Sequence, residues 1–253
     1  MIESSFDYFE GMTSISAVIK SIRNGSSDRK IVKVLYDASR SDKKSRELSF
    51  LSHAATDCGF ELVATNSDSI TELSSGTTHG GFLAVCTKRT FPKLSRDLIS
   101  GSFYVLLEGV EDPYNFGYSV RSLYASGADG IILPERNWME LSSTVARSSA
   151  GTSELASISI SDPYEAVKLF KESGFEIACA EIRNSVSLYD HDFTRPVLLV
   201  IGGEKRGISR KLLDLADVNV RIDYGREFMG SLPSASAISV FSFEILRQRQ
   251  NKS

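Results

Sequence analysis

Leu198-Leu-Val-Ile-Gly-Gly-Glu-Lys-Arg-Gly-Ile-Ser209 carries the signature of a buried parallel strand followed by a ligand-side turn. With Val197 it opens on a run, Val197 to Ile201, that holds no polar residue. Such a run is how a strand buried on both faces of a parallel sheet reads. It passes into a glycine-rich turn and then a helix start at Ser209. A turn of this kind sits where open α/β sheets bind ligands and where backbone N–H groups can reach them. Gly202 and Gly207 stand at P-loop spacing, but Ile208 and Ser209 follow, so the phosphate-binding lysine is missing; a GxGxxG fingerprint fails too. Glu204 repels phosphate and suits a ligand with amino or hydroxyl donors, or a cation. The plainer reading of Glu204 is a turn carboxylate paired with Lys205 or Arg206.

Outward from this stretch the same pattern repeats. Toward the N-terminus, Phe103–Leu107, Gly130–Leu133, a strand ending near Ile158, and Phe175–Ala180 read as strands. Helical patterns separate them at 117–127, 141–149 and 164–173. Toward the C-terminus come a helix from Ser209 to Leu215, a strand from Val218 to Ile222 and a last helix from Ser234 to Gln250. Strands alternating with helices mean an α/β fold with a mostly parallel sheet. A second, smaller α/β domain precedes it. There Ile31–Tyr36, Phe60–Ala64 and Phe82–Cys86 read as strands and Lys43–Cys58 as a helix. Thr77-Thr-His-Gly-Gly81 reads as a turn before the last strand. The charged, proline-containing segment 87–96 separates the two, giving expected domains 1–95 and 101–253.

Two further stretches carry chemistry. Glu108-Gly-Val-Glu-Asp-Pro-Tyr-Asn-Phe-Gly-Tyr-Ser-Val-Arg121 follows a strand directly. Asp112 and Pro113 suit a helix start, a capping carboxylate followed by proline in the first turn. Arg121 leans back toward the helix N-terminus, so its guanidinium can return toward the ligand edge of the sheet. The third stretch, Val220 to Ser239, leads from a strand through a glycine-containing loop into a helix start of small residues. Ser231 and Ser234 are both candidate caps. Ile238, Phe241, Ile245 and Leu246 follow at helical spacing and read as core or interface rather than as a pocket.

The order and spacing of the three stretches resemble the SpoU/TrmH-type RNA ribose 2′-O-methyltransferases of the SPOUT class. The family's first motif, roughly Asp-Pro-x-Asn-x-Gly-x-x-x-Arg, is matched by Asp112, Pro113, Asn115, Gly117 and Arg121. The second, Gly-x-Glu-x-x-Gly after an apolar strand, is matched by Gly202, Glu204 and Gly207. The third, a Ser-Leu-Asn segment, is matched by Ser231 and Leu232, with Pro233 in place of Asn. Ser149-Ala-Gly151 looks like the family's Ser-Ala-Gly turn. Ile222-Asp-Tyr224 departs from the family's common Ile-Pro-Met. The resemblance covers about residues 101–250. His79-Gly-Gly81 before Phe82 extends it, looking like the His-Gln-Gly turn of the family's N-terminal RNA-binding domain, which resembles small ribosomal proteins.

The resemblance implies a C-terminal trefoil knot that holds S-adenosylmethionine, and a homodimer with its active site near the subunit interface. Cofactor contacts are expected from Gly202, Gly203, Glu204, Gly207, Ile222, Ser231 and Leu232. For catalysis it points to Arg121, Asn115, Glu204 and Ser231. An arginine, whose guanidinium stays protonated at any ordinary pH, is a poor general base. Arg121 is therefore expected to pin a phosphate and stabilise developing alkoxide charge. Two alternatives stay open: an inactive SPOUT scaffold that binds RNA, suggested by Pro233, and a nucleotide enzyme of flavodoxin or P-loop type.

The chain's 253 residues are 42% hydrophobic and 24% charged, which excludes a disordered chain. A net charge of −3 speaks at first against a nucleic-acid partner. The charge is unevenly spread, however: 13 Lys and Arg against 12 Asp and Glu in residues 1–100, and 16 against 20 in the rest. Within 29–46, Arg29, Lys30, Lys33, Arg40, Lys43, Lys44 and Arg46 face only Asp37 and Asp42. In a domain that the resemblance gives to RNA, this strip is expected to contact phosphates. The three cysteines are far apart and the N-terminus lacks the apolar run of a secretory signal, so a cytoplasmic protein is expected. Scattered histidines argue against a metal, and the absence of any ~18-residue apolar run argues against a membrane span.

Overall fold

The computed structural model describes residues 6–74, 79–135 and 142–251. The chain opens with β1 (Phe6–Glu10), α1 (Gly11–Arg23), β2 (Ile31–Asp37), α2 (Ser45–Cys58), β3 (Glu61–Thr65), α3 (Ser67–Leu73) and β4 (Phe82–Thr87). It continues through β5 (Phe103–Leu107), α4 (Pro113–Ala125), β6 (Gly130–Leu133), α5 (Ser142–Ser148), α6 (Thr152–Leu155), β7 (Ile158–Ile160), α7 (Pro163–Glu172) and β8 (Glu176–Ala180). The remainder is β9 (Val186–Ser187), β10 (Val197–Ile201), α8 (Arg210–Leu213), β11 (Val218–Arg221) and α9 (Ser234–Gln250). No helix among the described residues is long and apolar enough to cross a membrane.

Two compact units result: Met1–Thr90 with Met139–Leu155, and Phe91–Trp138 with Ala156–Ser253. This corrects the expected division at 95 and 101. The boundary falls at Thr90, and the return segment that ends at Leu155 belongs to the first unit. The reason is packing over long sequence distances. Ala146 of α5 joins the core formed by Phe9, Ile15, Val18 and Val34. Gly151 (φ +82) lies so close to α1 that a methyl group there would strike the Ala17 side chain. The Ser149–Gly151 turn therefore serves the first unit.

Glu154 of α6 completes a buried ion network with Arg29 and Asp7. Arg29 is 3% exposed. It donates from Nε to Glu154 at 2.9 Å and from Nη1 to Asp7 and to the Thr87 carbonyl, with its guanidinium over the Phe9 ring. Burial works against its charge, but Glu154 and Asp7 outweigh burial and raise its pKa above the ordinary arginine value. Arg29 is thus an internal strut and cannot contact RNA phosphates, contrary to its place in the basic strip. Phe9 and Asp7 share the buried face of β1, a strand absent from the sequence reading, as are α1, α3 and β9.

The first unit's sheet has the order β1-β4-β2-β3, antiparallel except between β2 and β3. The second unit's sheet, β7-β6-β5-β10-β8-β11-β9, is parallel throughout. As its apolar run requires, β10 lies between β5 and β8 and is buried along its whole length. Tyr104, Phe170, Phe175 and Leu198 form part of the core on one face of this sheet. α9 keeps its expected bounds, and its Ser239 Oγ lies 2.7 Å from Ser122 Oγ of α4, so small residues bring the two helices close. Burial pushes the Cys179 thiol up to about 12, which leaves it a protonated core residue at neutral pH.

Candidate active site

The site forms where the loops after β5, β10 and β11 meet. Asp112 caps α4 by accepting the Asn115 N–H at 2.8 Å, and Pro113 fills the first helical position. This fixes Asn115 on the first turn, and its Nδ2 donates to Glu204 Oε1 at 3.1 Å. The same oxygen accepts from Ser234 N at 3.2 Å and Ser234 Oγ at 3.4 Å. One carboxylate oxygen therefore ties the start of α4 to the start of α9. The cap position of α9 is Pro233, which offers no side-chain acceptor. Glu204 supplies that acceptor from a different loop.

The turn that carries Glu204 is held by backbone. Gly207 N–H donates to the Gly203 carbonyl at 2.9 Å, with Gly207 at φ +62. Glu108 N–H donates to the Ile201 carbonyl at 2.9 Å, and the Glu108 carboxylate accepts from Ser209 N–H at 2.8 Å. Gly109 and Gly203 then meet backbone to backbone, and a methyl group on Gly203 would enter the Gly109 carbonyl. The glycines at 202 and 203 are thus demanded by close approach.

Two cavities flank this turn. One, of about 470 Å³, is lined by Gly202, Gly203, Glu204, Gly207, Ile222, Ser231 and Leu232, among others, which are all seven expected cofactor positions. Tyr224 and Phe228 stand edge to face at its mouth, with centroids 5.6 Å apart, and Leu232 N–H donates to the Tyr224 hydroxyl at 3.2 Å. Asp223 also lines it; Ser187 and Arg221 hold its carboxyl below the usual range, so it is charged at neutral pH. The second cavity, of about 560 Å³, holds Asn115, Glu108 and Asp112 and shares Gly203, Glu204, Gly207 and Ser234 with the first.

The expected residues are not all gathered. Arg121 is exposed, has no hydrogen bond or ion pair among the described residues, and lines neither cavity. Six residues beyond Asn115, it stands ~9 Å further along the α4 axis. Ser231 lines the first cavity, while Ser234 makes the bond to Glu204. The sequence offers Ser234 as a cap; in the fold it is the first residue of α9 and donates to Glu204 instead. Nothing in the sequence positions of Tyr224 and Phe228 foretells that the loop folds back to Leu232.

In the first unit, Lys30, Lys43 and Arg46 are exposed. Arg40 is paired to Asp37 at 3.1 Å and Lys44 to Glu47 at 2.8 Å. The Lys44 ammonium leads the effects that hold the Glu47 carboxyl below its ordinary range.

Residues 102–243 match the SpoU rRNA Methylase family. A Staphylococcus haemolyticus protein assigned to the TrmH family of tRNA/rRNA methyltransferases is 32% identical over 160 residues, 63% of this chain and 64% of that protein's length. The SpoU methyltransferase AviRb from Streptomyces viridochromogenes, solved in complex with AdoMet, superposes with a TM-score of 0.78 and 25% identity over 97% of this chain and 91% of that one. An RNA 2′-O ribose methyltransferase structure shares the fold with a TM-score of 0.77 at 18% identity, covering 97% of this chain and 90% of that chain.

Proposed function

The chain belongs to the SpoU rRNA methylase family, and from that premise we propose that it transfers the methyl group of S-adenosylmethionine to the ribose 2′-hydroxyl of a nucleotide in tRNA or rRNA. The observation that carries this reading is the shared wall of the two cavities. Gly203, Glu204, Gly207 and Ser234 face both, so a donor in one and an acceptor in the other meet across it.

The first cavity fits the cofactor. Its backbone comes forward at Gly202 and Gly203, Ile222 and Leu232 offer apolar walls, and Glu204 and Asp223 suit a ligand that carries positive charge and hydroxyl donors. The bound cofactor supplies a methyl group on a positively charged sulfur. The chain's own residues do the rest. Asn115 and Glu204 orient the ribose in the second cavity. Arg121 pins a neighbouring phosphate and stabilises the developing alkoxide, and the proton passes to water or a phosphate oxygen. Ser231 borders the donor side.

A homodimer completes the reading. α4 exposes Tyr114, Tyr118 and Tyr124, and α9 exposes Phe243. Tyr114, Tyr118 and Arg121 follow at helical i, i+4, i+7 spacing on one side of α4, and a second copy seated there brings Arg121 to the seam. The trefoil knot is supported by the sheet order, with β10 between β5 and β8, and by the return of the α9 start to Glu204. The unpaired thiols of Cys58, Cys86 and Cys179 support a cytoplasmic setting. The second reading, an RNA-binding scaffold without turnover, keeps one observation in its favour, the proline at 233.

Calorimetric titration with S-adenosylmethionine tests the cofactor assignment. Saturable binding is expected, with Gly203→Ala weakening it at least tenfold, or ~1.4 kcal/mol. A variant that binds as the natural chain does would move the cofactor out of this cavity. The basic strip has its own test in RNA binding measured against salt. Lys43→Ala and Arg46→Ala should each lower the salt slope by about 1. An unchanged slope in the double variant would make the strip a solvated surface.

A further inference from the structure

The first unit holds a cavity that none of the roles above uses. It has a volume of about 410 Å³, inside the ~300–1,000 Å³ of small-ligand sites. It lies between the start of α1, the start of α2 and the His79–Phe82 turn. Its cations are already matched by anions. Lys44 pairs with Glu47 at 2.8 Å, and Arg147 pairs with Glu10 at 3.2 Å. A phosphate inside would face two carboxylates. A neutral ligand with both donors and acceptors is what the lining suits.

Acceptors come from Glu10 and Glu47, since a carboxylate accepts several hydrogen bonds at once. Donors come from the first turn of α1, whose N–H groups have no intrahelical acceptor and receive no side-chain cap. Met12 and Phe82 add apolar contact. His79 closes the back. Its Nδ1 accepts from Gly81 N–H at 3.1 Å, which leaves the proton on Nε2, 3.2 Å from Thr71 Oγ1. The turn is therefore rigid, with Gly80 and Gly81 at φ +61 and +87. The exposed Arg46 lies in the first turn of α2, and the exposed Lys43 stands two residues before that helix.

We propose that this cavity is a nucleobase subsite that takes an unstacked guanine of the RNA substrate. It rests on the reading of the first unit as the RNA-binding half. The edge of guanine presents one acceptor, O6, beside two donors, N1–H and the 2-amino group. These meet the N–H groups of α1 and a carboxylate. Uracil and cytosine cannot offer two adjacent donors to one carboxylate. Flanking phosphates fall to Lys43 and Arg46. An unstacked base read on its edge is the usual mode of sequence recognition in single-stranded RNA.

The test compares two hexanucleotides, all-uridine and one with a single central guanosine, against the full chain at fixed salt. The guanosine oligomer should bind about tenfold more tightly, in line with the ~1–3 kcal/mol of one bidentate base contact. Glu47→Gln should bring the ratio close to one while leaving the affinity for all-uridine RNA and for S-adenosylmethionine unchanged. Equal affinity of the natural chain for both oligomers, lost on neutralising Lys43 and Arg46, would overturn the subsite alone. A tenfold preference that survives Glu47→Gln would also overturn it. Failure to bind either oligomer would overturn the subsite together with the RNA-binding reading of the unit.

Discussion

Arg121→Ala is expected to lower methyl transfer to RNA by about 10²–10³-fold, the cost of removing one preorganised charge from a developing oxyanion, with S-adenosylmethionine affinity unchanged. The separation of the two effects follows from geometry. Arg121 lines neither cavity and has no partner among the described residues, so its removal leaves the cofactor walls intact. Its role begins only when RNA, and on our reading a second copy, are in place. Arg121→Lys should not rescue fully, because an ammonium lacks the planar fork that grips a phosphate at two points. Single-turnover methylation at saturating RNA, with calorimetry on the same variants, measures both quantities. Undiminished turnover by Arg121→Ala would remove the residue from the mechanism.

Arg29→Ala is expected to destabilise the first unit by ~3–5 kcal/mol. Breaking a buried ion pair by removing one partner strands the other charge, and here two carboxylates, Asp7 and Glu154, lose their cation together. Against the ~5–15 kcal/mol total of an ordinary domain, that is a large share. Urea unfolding followed by far-ultraviolet circular dichroism gives the number. The same variant separates the two readings of Arg29. A strut fails in stability, whereas a phosphate contact fails in RNA affinity with stability kept to within ~0.5 kcal/mol. The second pattern would restore Arg29 to the basic strip.

What could be read from sequence follows from how local each signal is. The run Val197–Ile201 placed the central strand of the parallel sheet because burial on both faces leaves no polar position to misread. Asp112 and Pro113 placed the start of α4, because that cap is decided within a few residues. The seven residues expected to hold the cofactor line one cavity because the motif spacing fixes them relative to strand ends. Hidden from sequence were pairings across long distances. Arg29 stands in a basic run, and nothing near it announces Glu154, 125 residues later. The return of α5 and α6 to the first unit is invisible for the same reason, and it moved the domain boundary. Pro233 reads in sequence only as a departure from the motif; the folded chain alone shows the Glu204 carboxylate reaching the start of α9 at Ser234.

On our proposal, methyl transfer to a ribose hydroxyl runs across the wall built from Gly203, Glu204, Gly207 and Ser234. The most direct measurement incubates the purified chain with labelled S-adenosylmethionine and tRNA or rRNA from cells that lack it, then digests the RNA to nucleosides. Label is expected in a 2′-O-methylated nucleoside, lowered about 10²–10³-fold when Arg121→Ala replaces the natural chain. Label confined to a base, or cofactor bound with no label transferred to any RNA, would contradict it.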